Sequence, residues 1–268
     1  MREIPPAVDA ALQAYIAGAR RLCAEDLIGV YAHGSLAYDE FDAEASDVDL
    51  VVVHRVDLTD VQQRALSDLH AHLLAAHPAA ARLDGTYAPL HAVGTYGTAI
   101  CPAFRDGRFL TRGGGDLNPV AWHTVHTRGL VLCGSPASEV VPPVSDEALC
   151  ENMRRNIAFL RRRMPFYVLS GTTNTVFGVL TLCRVLYTLR TGEISSKRMA
   201  ARWALRHVAA CWRPLLRRAL TRYGRRDDVD LALAAGAIPF AAYIVRVVGH
   251  DNSTNSSPAR SIRSVLRP

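Results

Sequence analysis

Residues 31–53, "YAHGSLAYDEFDAEASDVDLVVV", place a Gly-Ser turn ahead of an Asp-x-Asp pair that begins an apolar strand. Side chains two residues apart on a strand point to the same face, so we expect Asp47 and Asp49 to lie close together. Two like charges at that distance repel each other, and one becomes protonated unless a cation neutralises them. Because hard oxygen ligands suit magnesium, the pair predicts a Mg²⁺ site.

The Gly-Ser turn predicts a phosphate site beside that pair. Gly34 allows a tight turn, and Ser35 would begin a short helix whose backbone N–H groups and hydroxyl can cradle a phosphate. Eleven residues separate Ser35 from Asp47, enough for the chain to return the aspartates to the cradle. Metal carboxylates beside a phosphate site are the equipment for nucleotidyl transfer. The alternative, that the aspartates only cap the strand or form a turn, is disfavoured by the Gly-Ser partner.

Charge divides the 268-residue chain into an acidic and a basic half, although the net charge is only +6. Up to Cys150 there are 10 Arg and 19 Asp or Glu, which gives −9, and from Glu151 onward there are 21 Lys or Arg and 6 acids, which gives +15. This division predicts two domains with an anionic ligand held where they meet. The alternative is that the basic half is a solvated surface.

The composition, 49% hydrophobic and 21% charged, is typical of a soluble globular protein. We find no signal-peptide pattern at the N-terminus, and the apolar run at 176–189 is too short to span a bilayer. Six scattered cysteines without a C-x-x-C pair disfavour a zinc or thiol-redox site. We therefore expect a cytoplasmic protein with no membrane partner.

The first half mixes strands with helices, which predicts an α+β or α/β unit. Helices are predicted at 7–22, 60–76 and 120–129, and strands at 27–33, 47–54, 82–90 and from 129 onward. Residues 134–146 contain three prolines and indicate a linker.

The second half is predicted to be almost entirely helical. The candidate helices are 146–164, 172–191, 197–208, 211–223 and 238–248. Gly192 can end one helix, and Ser195 or Ser196 can cap the next. Residues 249–268 are polar without periodicity, which predicts a disordered tail. The predicted domains are therefore 1–145 and 146–248.

The Gly-Ser and Asp-x-Asp motif with its apolar strand resembles nucleotidyltransferases of the polymerase-β type. Residues 179–205, "VLTLCRVLYTLRTGEISSKRMAARWAL", are similar to the helical C-terminal domain of aminoglycoside adenylyltransferases that act on streptomycin and spectinomycin, as are "HTRGLVLCGSP" and "RLDGTYAPL". The resemblance implies an α+β fold, a polymerase-β-type domain with a mixed sheet followed by an all-α helical bundle. It also implies ATP- and Mg²⁺-dependent transfer of AMP to a hydroxyl of an aminocyclitol-type small molecule.

The resemblance assigns roles in the first domain. Asp47 and Asp49 would bind magnesium, with two ions expected, and Gly34, Ser35 and Ser46 would contact the triphosphate. Asp84 occupies the position of the general base, where we expect Glu in this family. A carboxylate retracted by about 1 Å can cost ~10²-fold in rate. Asp84 would therefore act as the base, act through a water, or complete the metal site, and the structural alternative is an Asx-turn with Gly85.

In the helical domain, the resemblance implies that Arg184 and Lys197 grip the phosphates and that Tyr243 stacks near the nucleotide. Arg184 is the only charged residue in 176–189, and a guanidinium in so apolar a helix needs an anionic partner. Lys197 is the only lysine among 31 basic residues, which indicates a point-charge role. The alternatives are a structural salt bridge for Arg184, a surface position for Lys197 and core packing for Tyr243.

The acceptor is predicted from three positions that match drug contacts in the family, Pro165, Ser170 and Asn174. None is acidic or aromatic, which favours spectinomycin, or another small hydroxylated acceptor, over the more highly charged streptomycin. A nucleotide sensor or a nucleic-acid-binding protein on the same fold is an alternative that the basic second half favours, although it lacks interleaved aromatic residues. A transferase acting on protein or tRNA is a third hypothesis.

Overall fold

The computed structural model describes residues 4–43, 46–96, 99–113, 117–225 and 229–254, with side chains as far as 249. The chain divides into two compact units, Met1–Ser145 and Asp146–Pro268. This division falls at the boundary between 145 and 146 that the sequence predicts.

The first unit contains a mixed sheet of six strands. They are β1 (Leu27–Ala32), β2 (Val48–His54), β3 (Leu83–Pro89), β4 (Ala103–Arg105), β5 (Arg108–Leu110) and β6 (Leu130–Gly134). The strand order is β5-β4-β3-β2-β1-β6, in which β2 and β3 are parallel and the other neighbours are antiparallel. The accompanying helices are α1 (Pro6–Cys23), α2 (Gly34–Ala37), α3 (Asp60–Ala76), α4 (Pro119–Arg128) and α5 (Ala137–Val140).

The central strands send alternate side chains to opposite faces of the sheet. Val30 and Ala32 lie in a core cluster with α1 and α3, whereas Tyr31, between them, lies in a second cluster with Trp122 of α4. All four side chains are fully buried. Because both faces are covered, the strand that follows Asp49 is apolar without alternation.

Most boundaries in this unit agree with the sequence prediction. Helix α3 has the predicted bounds, because Thr59 and Gln62 form a capping box. The Thr59 hydroxyl accepts the Gln62 N–H at 3.2 Å, and Gln62 Oε1 accepts the Thr59 N–H at 2.9 Å. Helices α1 and α4 and strands β1 to β3 begin and end within one residue of their predicted bounds.

The hairpin formed by β4 and β5 was not predicted, although the sequence carries a signal for it. Asp106 and Gly107 form its turn with φ values of 48° and 71°, as an Asp-Gly pair does in tight hairpins. Each strand has only three residues, too few for an alternating pattern to be recognised.

The linker prediction for 134–146 is wrong, because this segment packs onto the first unit. It contains α5, and Ala137 and Val141 are buried in the cluster that includes Trp122. The His126 Nδ1–H donates to the Val141 carbonyl at 2.6 Å. The prolines therefore belong to an ordered segment.

The second unit is helical, as predicted, with α7 at its centre. Its helices are α6 (Asp146–Leu169), α7 (Thr172–Thr191), α8 (Lys197–His207), α9 (Arg213–Arg222) and α10 (Leu231–Thr254). The other four all pack against α7. The predicted caps are present: Gly192 follows α7 with φ 74°, and the Ser196 hydroxyl accepts the Met199 N–H at 3.0 Å at the start of α8.

Three of the wrongly predicted helix boundaries in this unit lie beside a proline. Helix α6 continues through Pro165 to Leu169, and α10 begins seven residues before the predicted start and contains Pro239. An internal proline disfavours a helix, but packing of the flanking turns against neighbouring helices overrides that preference. The predicted helix at 211–223 begins instead with a 3-10 turn, and α9 starts only at Arg213, where Pro214 suits a first turn.

Helix α10 also corrects two predictions about the end of the chain. Residues 249–254, predicted as tail, are helical, and residues 255–268 lie outside the described part. Among the described residues, 231–249 is longer than the run at 176–189 and has the length and hydropathy of a membrane span, by composition alone. The side chains of Leu233, Phe240 and Ile244 are fully buried against other helices of the unit. The length and hydropathy of this helix are therefore only weak evidence that it spans a membrane.

Candidate active site

Two of the predicted acidic residues lie directly opposite each other in the sheet. Asp49 of β2 and Asp84 of β3 are Cα partners in the parallel ladder, near the amino end of both strands. Both are half-buried, and Asp47, two residues before Asp49, is exposed. Because the strands are parallel and in register, carboxylates that are 35 residues apart in the sequence lie together at the amino ends of β2 and β3. We call this group, Asp47, Asp49 and Asp84, the acidic edge of the sheet.

The electrostatics of Asp84 reflect its acidic neighbours. The pKa of Asp84 is raised to about 6, chiefly by burial and to a smaller extent by the charges of Asp47 and Asp49. The Asp106 N–H and the charge of Arg105 act in the opposite direction. A carboxyl group with a pKa near neutrality can accept a proton readily at physiological pH, which suits a general base.

Gly34 lies against the carboxylate of Asp49. A Cβ built on Gly34 would stand 1.9 Å from Asp49 Oδ2, and its φ of +60° is in the left-handed region. The neighbouring His33 N–H donates to the Asp49 carbonyl at 2.9 Å. The Gly-Ser turn is therefore held beside the acidic edge of the sheet, and the close approach requires glycine.

Ser35 and Ser46 have different surroundings. Ser35 is half-buried at the start of α2, and its carbonyl accepts the Glu40 N–H at 3.0 Å. Ser46 is buried, and its hydroxyl accepts the Asp42 N–H at 2.9 Å, while its own N–H donates to the Asp42 carbonyl at 2.9 Å. Ser46 thus closes the loop that precedes Asp47, and its contact with a triphosphate stays a prediction.

One residue that contacts the acidic group was not predicted. Asp106, at the tip of the β4–β5 hairpin, donates its backbone N–H to Asp84 Oδ1 at 2.8 Å. This hydrogen bond orients the carboxylate of Asp84. The Asp-Gly pair indicates a tight hairpin in the sequence, but it does not indicate that the hairpin pairs with β3.

The predicted phosphate ligands of the second unit lie on two adjacent helices. Arg184 is half-buried within α7, and Lys197 is the first residue of α8. Lys197 Nζ lies 4.4 Å from the centre of the Phe177 ring of α7, which is a cation–π contact. Because α7 and α8 pack together, both basic residues belong to the same part of the unit.

The remaining predicted residues of the second unit take part in tertiary contacts. The Tyr243 hydroxyl accepts the Ala209 N–H at 3.1 Å, and its ring lies 5.4 Å from Trp212. The Asn174 side chain donates to the Ser170 carbonyl at 3.3 Å, which joins the two predicted acceptor residues at the turn between α6 and α7. The contacts of Tyr243 are those of the packing alternative, and its nucleotide role stays a prediction.

The acidic edge suits a divalent cation in its chemistry. Among the described residues, no three His, Cys, Asp or Glu side chains are close enough, as they stand, to hold a metal ion. Asp47, Asp49 and Asp84 are nevertheless hard oxygen donors, and the charges of the first two act on the third. A cation would offset this repulsion, so these carboxylates fit Mg²⁺.

Two family models match the chain, one in each unit. The nucleotidyltransferase domain matches residues 18–90, and the C-terminal domain of aminoglycoside adenylyltransferase matches residues 139–246. The chain is therefore similar to aminoglycoside adenylyltransferases in its helical second unit and to nucleotidyltransferase domains in its first. The resemblance inferred from the Gly-Ser, Asp-x-Asp and 179–205 motifs is therefore confirmed.

Curated members of this family match part of the chain. An aminoglycoside (3'')(9) adenylyltransferase of Rhizobium radiobacter is 32% identical over 100 residues, which are 37% of this chain and 35% of the relative. One of Escherichia coli is 31% identical over 125 residues, which are 45% of this chain and 46% of the relative. The chain thus matches less than half the length of these relatives.

A solved structure has a similar fold. The spectinomycin adenyltransferase AAD(9) from Enterococcus faecialis, determined with ATP and spectinomycin, superposes with a TM-score of 0.67 at 15% identity. The match covers 88% of this chain and 97% of that one. It confirms the predicted fold class, a polymerase-β-type domain with a mixed sheet followed by a helical domain.

Proposed function

We propose that the protein is an ATP- and Mg²⁺-dependent adenylyltransferase that moves AMP onto a hydroxyl of an aminocyclitol, with spectinomycin favoured over streptomycin. The main support for the proposal is that Asp49 and Asp84 are direct neighbours in the parallel strand pair. Gly34 of the Gly-Ser turn lies against the Asp49 carboxylate. The similarity to aminoglycoside adenylyltransferases supports adenylyl transfer. We also propose that it works in the cytoplasm, without a membrane partner.

The proposed reaction is a direct displacement at the α-phosphorus of ATP. The acceptor hydroxyl oxygen forms a bond to that phosphorus, the bond to the oxygen bridging the α- and β-phosphates breaks, and pyrophosphate leaves. The hydroxyl proton passes to the carboxylate of Asp84, which acts as general base. A pKa of about 6 leaves Asp84 largely ionised at pH 7 and still basic enough to take the proton.

The other residues of the first unit would position the nucleotide. Asp47 and Asp49, with Asp84 as a further ligand, would hold two Mg²⁺ ions, which neutralise the triphosphate and the leaving pyrophosphate when bound. Gly34 and Ser35 would place backbone N–H groups and a hydroxyl near the phosphates, with Ser46 behind them. The hydrogen bond from the Asp106 N–H keeps the Asp84 carboxylate pointing in one direction.

The second unit would supply positive charge and the acceptor surface. Arg184 and Lys197 would bind phosphate oxygens, and Tyr243 would lie near the nucleotide. Asn174 and Ser170, joined at the turn between α6 and α7, would face the acceptor. These roles are inferred from the resemblance and from the packing of α7 against α8.

The preference for spectinomycin is supported by the surface around that turn. Phe166 is 51% exposed and Phe177 is 41% exposed. Each ring makes a cation–π contact, Phe166 with Arg163 at 4.2 Å and Phe177 with Lys197 at 4.4 Å. A polycation such as streptomycin needs acidic partners, and arginine and lysine at this surface would repel it. A less charged aminocyclitol fits this surface better.

The function can be tested with the purified full chain, labelled ATP and Mg²⁺. We expect pyrophosphate release and an acceptor whose mass increases by one AMP with spectinomycin, and much slower release with streptomycin. An Asp47→Asn variant serves as the inactive control. If neither drug gives a product, both antibiotics are excluded as substrates. Absence of AMP transfer across a wider panel of aminocyclitols would contradict the adenylyltransferase proposal.

A second candidate is a nucleotide sensor or nucleic-acid-binding protein on this fold. The net charge of +15 from Glu151 onward favours it. A pure binder has no need of paired acidic residues beside a phosphate site, which disfavours it. An affinity for RNA or DNA that falls steeply with salt would support it, and label appearing on protein or tRNA in a lysate would support a macromolecular acceptor.

A further inference from the structure

The loop between α2 and β2 connects the Gly-Ser turn to the Asp47–Asp49 pair. Two hydrogen bonds join Asp42 to Ser46 in this loop. Phe41, just before Asp42, is 3% exposed and belongs to the core of the first unit. Asp47 therefore follows a loop that is anchored at one side by the core and at the other by β2.

Arg82, the residue directly before β3, contacts this loop. Its guanidinium donates to the carbonyls of Asp42 at 3.2 Å and Ala43 at 2.5 Å and to the carbonyl of Ser46. It also lies over the Phe41 ring, 5.4 Å from the ring centre. Arg82 stands two residues before Asp84, so one side chain joins the chain segment of Asp84 to the segment of Asp47.

We propose that Arg82 is a positioning residue of the active site. By holding the carbonyls of Asp42, Ala43 and Ser46, it keeps Asp47 at a fixed place beside Asp49 and Asp84. This role rests on the proposed function, because it concerns the carboxylates that would bind the metal. Arg82 acts through the backbone and does not itself touch a substrate.

The side-chain chemistry suits this role. A guanidinium is planar and presents donors in fixed directions, so it can meet several carbonyl oxygens at once and lie flat on a ring. A lysine at this position would keep the charge but lose the fork and the flat contact. The effect of Arg82→Lys therefore reports the loss of positioning and not the loss of charge. Arg82→Gln, which has a shorter amide donor, is measured alongside it.

The test measures metal binding as well as catalysis in the full chain. Mn²⁺ binding is followed by electron paramagnetic resonance with the unreactive analogue α,β-methylene-ATP present. We expect Arg82→Lys to weaken Mn²⁺ about tenfold, as loss of a supporting residue around a metal site does. The kcat falls while the KM for the acceptor is unchanged. Arg55→Lys, the same substitution at the far end of β2, is the control and should match the wild type.

A double-mutant cycle distinguishes positioning from loss of stability. If Arg82 acts through Asp47, Arg82→Lys has no further effect on Mn²⁺ affinity in an Asp47→Asn background. Additive effects, wild-type Mn²⁺ affinity in Arg82→Lys, or loss of the folded state in both Arg82 variants would each overturn the proposal. If the wild type itself neither binds Mn²⁺ with the analogue nor transfers AMP, the proposed function fails as well.

Discussion

Asp84 in the first unit and Asp230 in the second are both withdrawn from water, but their surroundings are opposite. The Asp230 side chain is 0% exposed, and Arg218 Nε lies 2.6 Å from both of its oxygens. Arg222 Nε lies 3.2 Å away, and the Leu233 N–H in the first turn of α10 donates at 3.0 Å. Burial raises the pKa of Asp230, but these donors and charges outweigh it and hold the pKa below its usual value.

The surroundings of Asp84 favour the protonated form instead. Burial and the charges of Asp47 and Asp49 raise the pKa to about 6, against the Asp106 N–H and the charge of Arg105. The comparison teaches how to distinguish a structural acid from a functional one. A structural acid is surrounded by donors that satisfy it, whereas an acid kept beside other acids depends on a bound cation or on a proton in transfer.

The largest expected difference concerns catalysis at Asp84. Asp84→Asn removes the proton acceptor, and we expect kcat to fall by about 10²–10⁴-fold, which is the usual contribution of a general base. The free energy of unfolding without metal should stay the same or increase, because a repulsive charge is removed. The measurement is AMP transfer to the best acceptor, with urea denaturation beside it.

Asp68→Asn, on the exposed side of α3, is the matched control for this variant. It makes the same chemical change away from the acidic edge and should leave kcat unchanged. Near-wild-type turnover by Asp84→Asn would show that another group takes the proton.

The second prediction concerns stability at Asp230. Asp230→Ala leaves Arg218 and Arg222 without their shared acid and removes the hydrogen bond to Leu233. We expect the free energy of unfolding to fall by about 2 kcal/mol, because the Leu233 N–H loses its acceptor, whereas Arg218 and Arg222, which are 49% and 28% exposed, stay partly hydrated. Urea denaturation followed by circular dichroism measures it.

Glu151→Ala provides the contrast within the same unit. Its partner Arg155 lies 3.1 Å away, but both side chains are more than 60% exposed, so the cost should be below about 1 kcal/mol. If Asp230→Ala lowered kcat in its folded state as strongly as Asp84→Asn, the two acids would not differ in the way proposed.

The same two regions show what the sequence could reveal. The Gly-Ser turn and the Asp pair ahead of an apolar run predicted one part of the acidic edge from local pattern, and Asp84 was added by the resemblance to the family. The Asp106 N–H was missed because two strands of three residues leave almost no pattern. Asp230 was missed because the last helix was predicted to begin at residue 238, whereas α10 begins at Leu231. Contacts between distant segments, such as Arg82 with the loop before Asp47, have no signal in a single sequence.

A third prediction concerns the fit between Gly34 and Asp49. Gly34→Ala places a Cβ 1.9 Å from Asp49 Oδ2, so either the turn or the carboxylate must move. A displacement of about 1 Å at a reacting group can cost ~10²-fold in rate, and we expect a loss of that size in kcat, with weaker Mn²⁺ binding.

Gly171→Ala separates this clash from backbone strain. Gly171 also has a positive φ, +105°, but a Cβ there meets nothing within 4 Å. This variant should lose about 1–3 kcal/mol of stability, because φ 105° with ψ 177° is a conformation that essentially only glycine adopts, and it should keep the Mn²⁺ affinity of the wild type. Equal Mn²⁺ binding in both glycine variants and the wild type would contradict the fit between Gly34 and Asp49.

The smallest expected effects are opposite pH dependences of stability, measured by urea denaturation in EDTA. The raised pKa of Asp84 means that its contribution is present below pH 4 and is lost as pH rises through about 6. The free energy of unfolding of Asp84→Asn should therefore rise relative to that of the wild type between pH 5 and 7.5. The expected difference is on the order of 1 kcal/mol, because Asp84 is partly exposed.

The lowered pKa of Asp230 means that its contribution to stability is present above about pH 4 and is lost only as the pH falls further. The gap between the wild type and Asp230→Asn should accordingly be constant from pH 5 to 7.5 and shrink below pH 4. Two flat profiles across this range would remove the electrostatic distinction between the two acids.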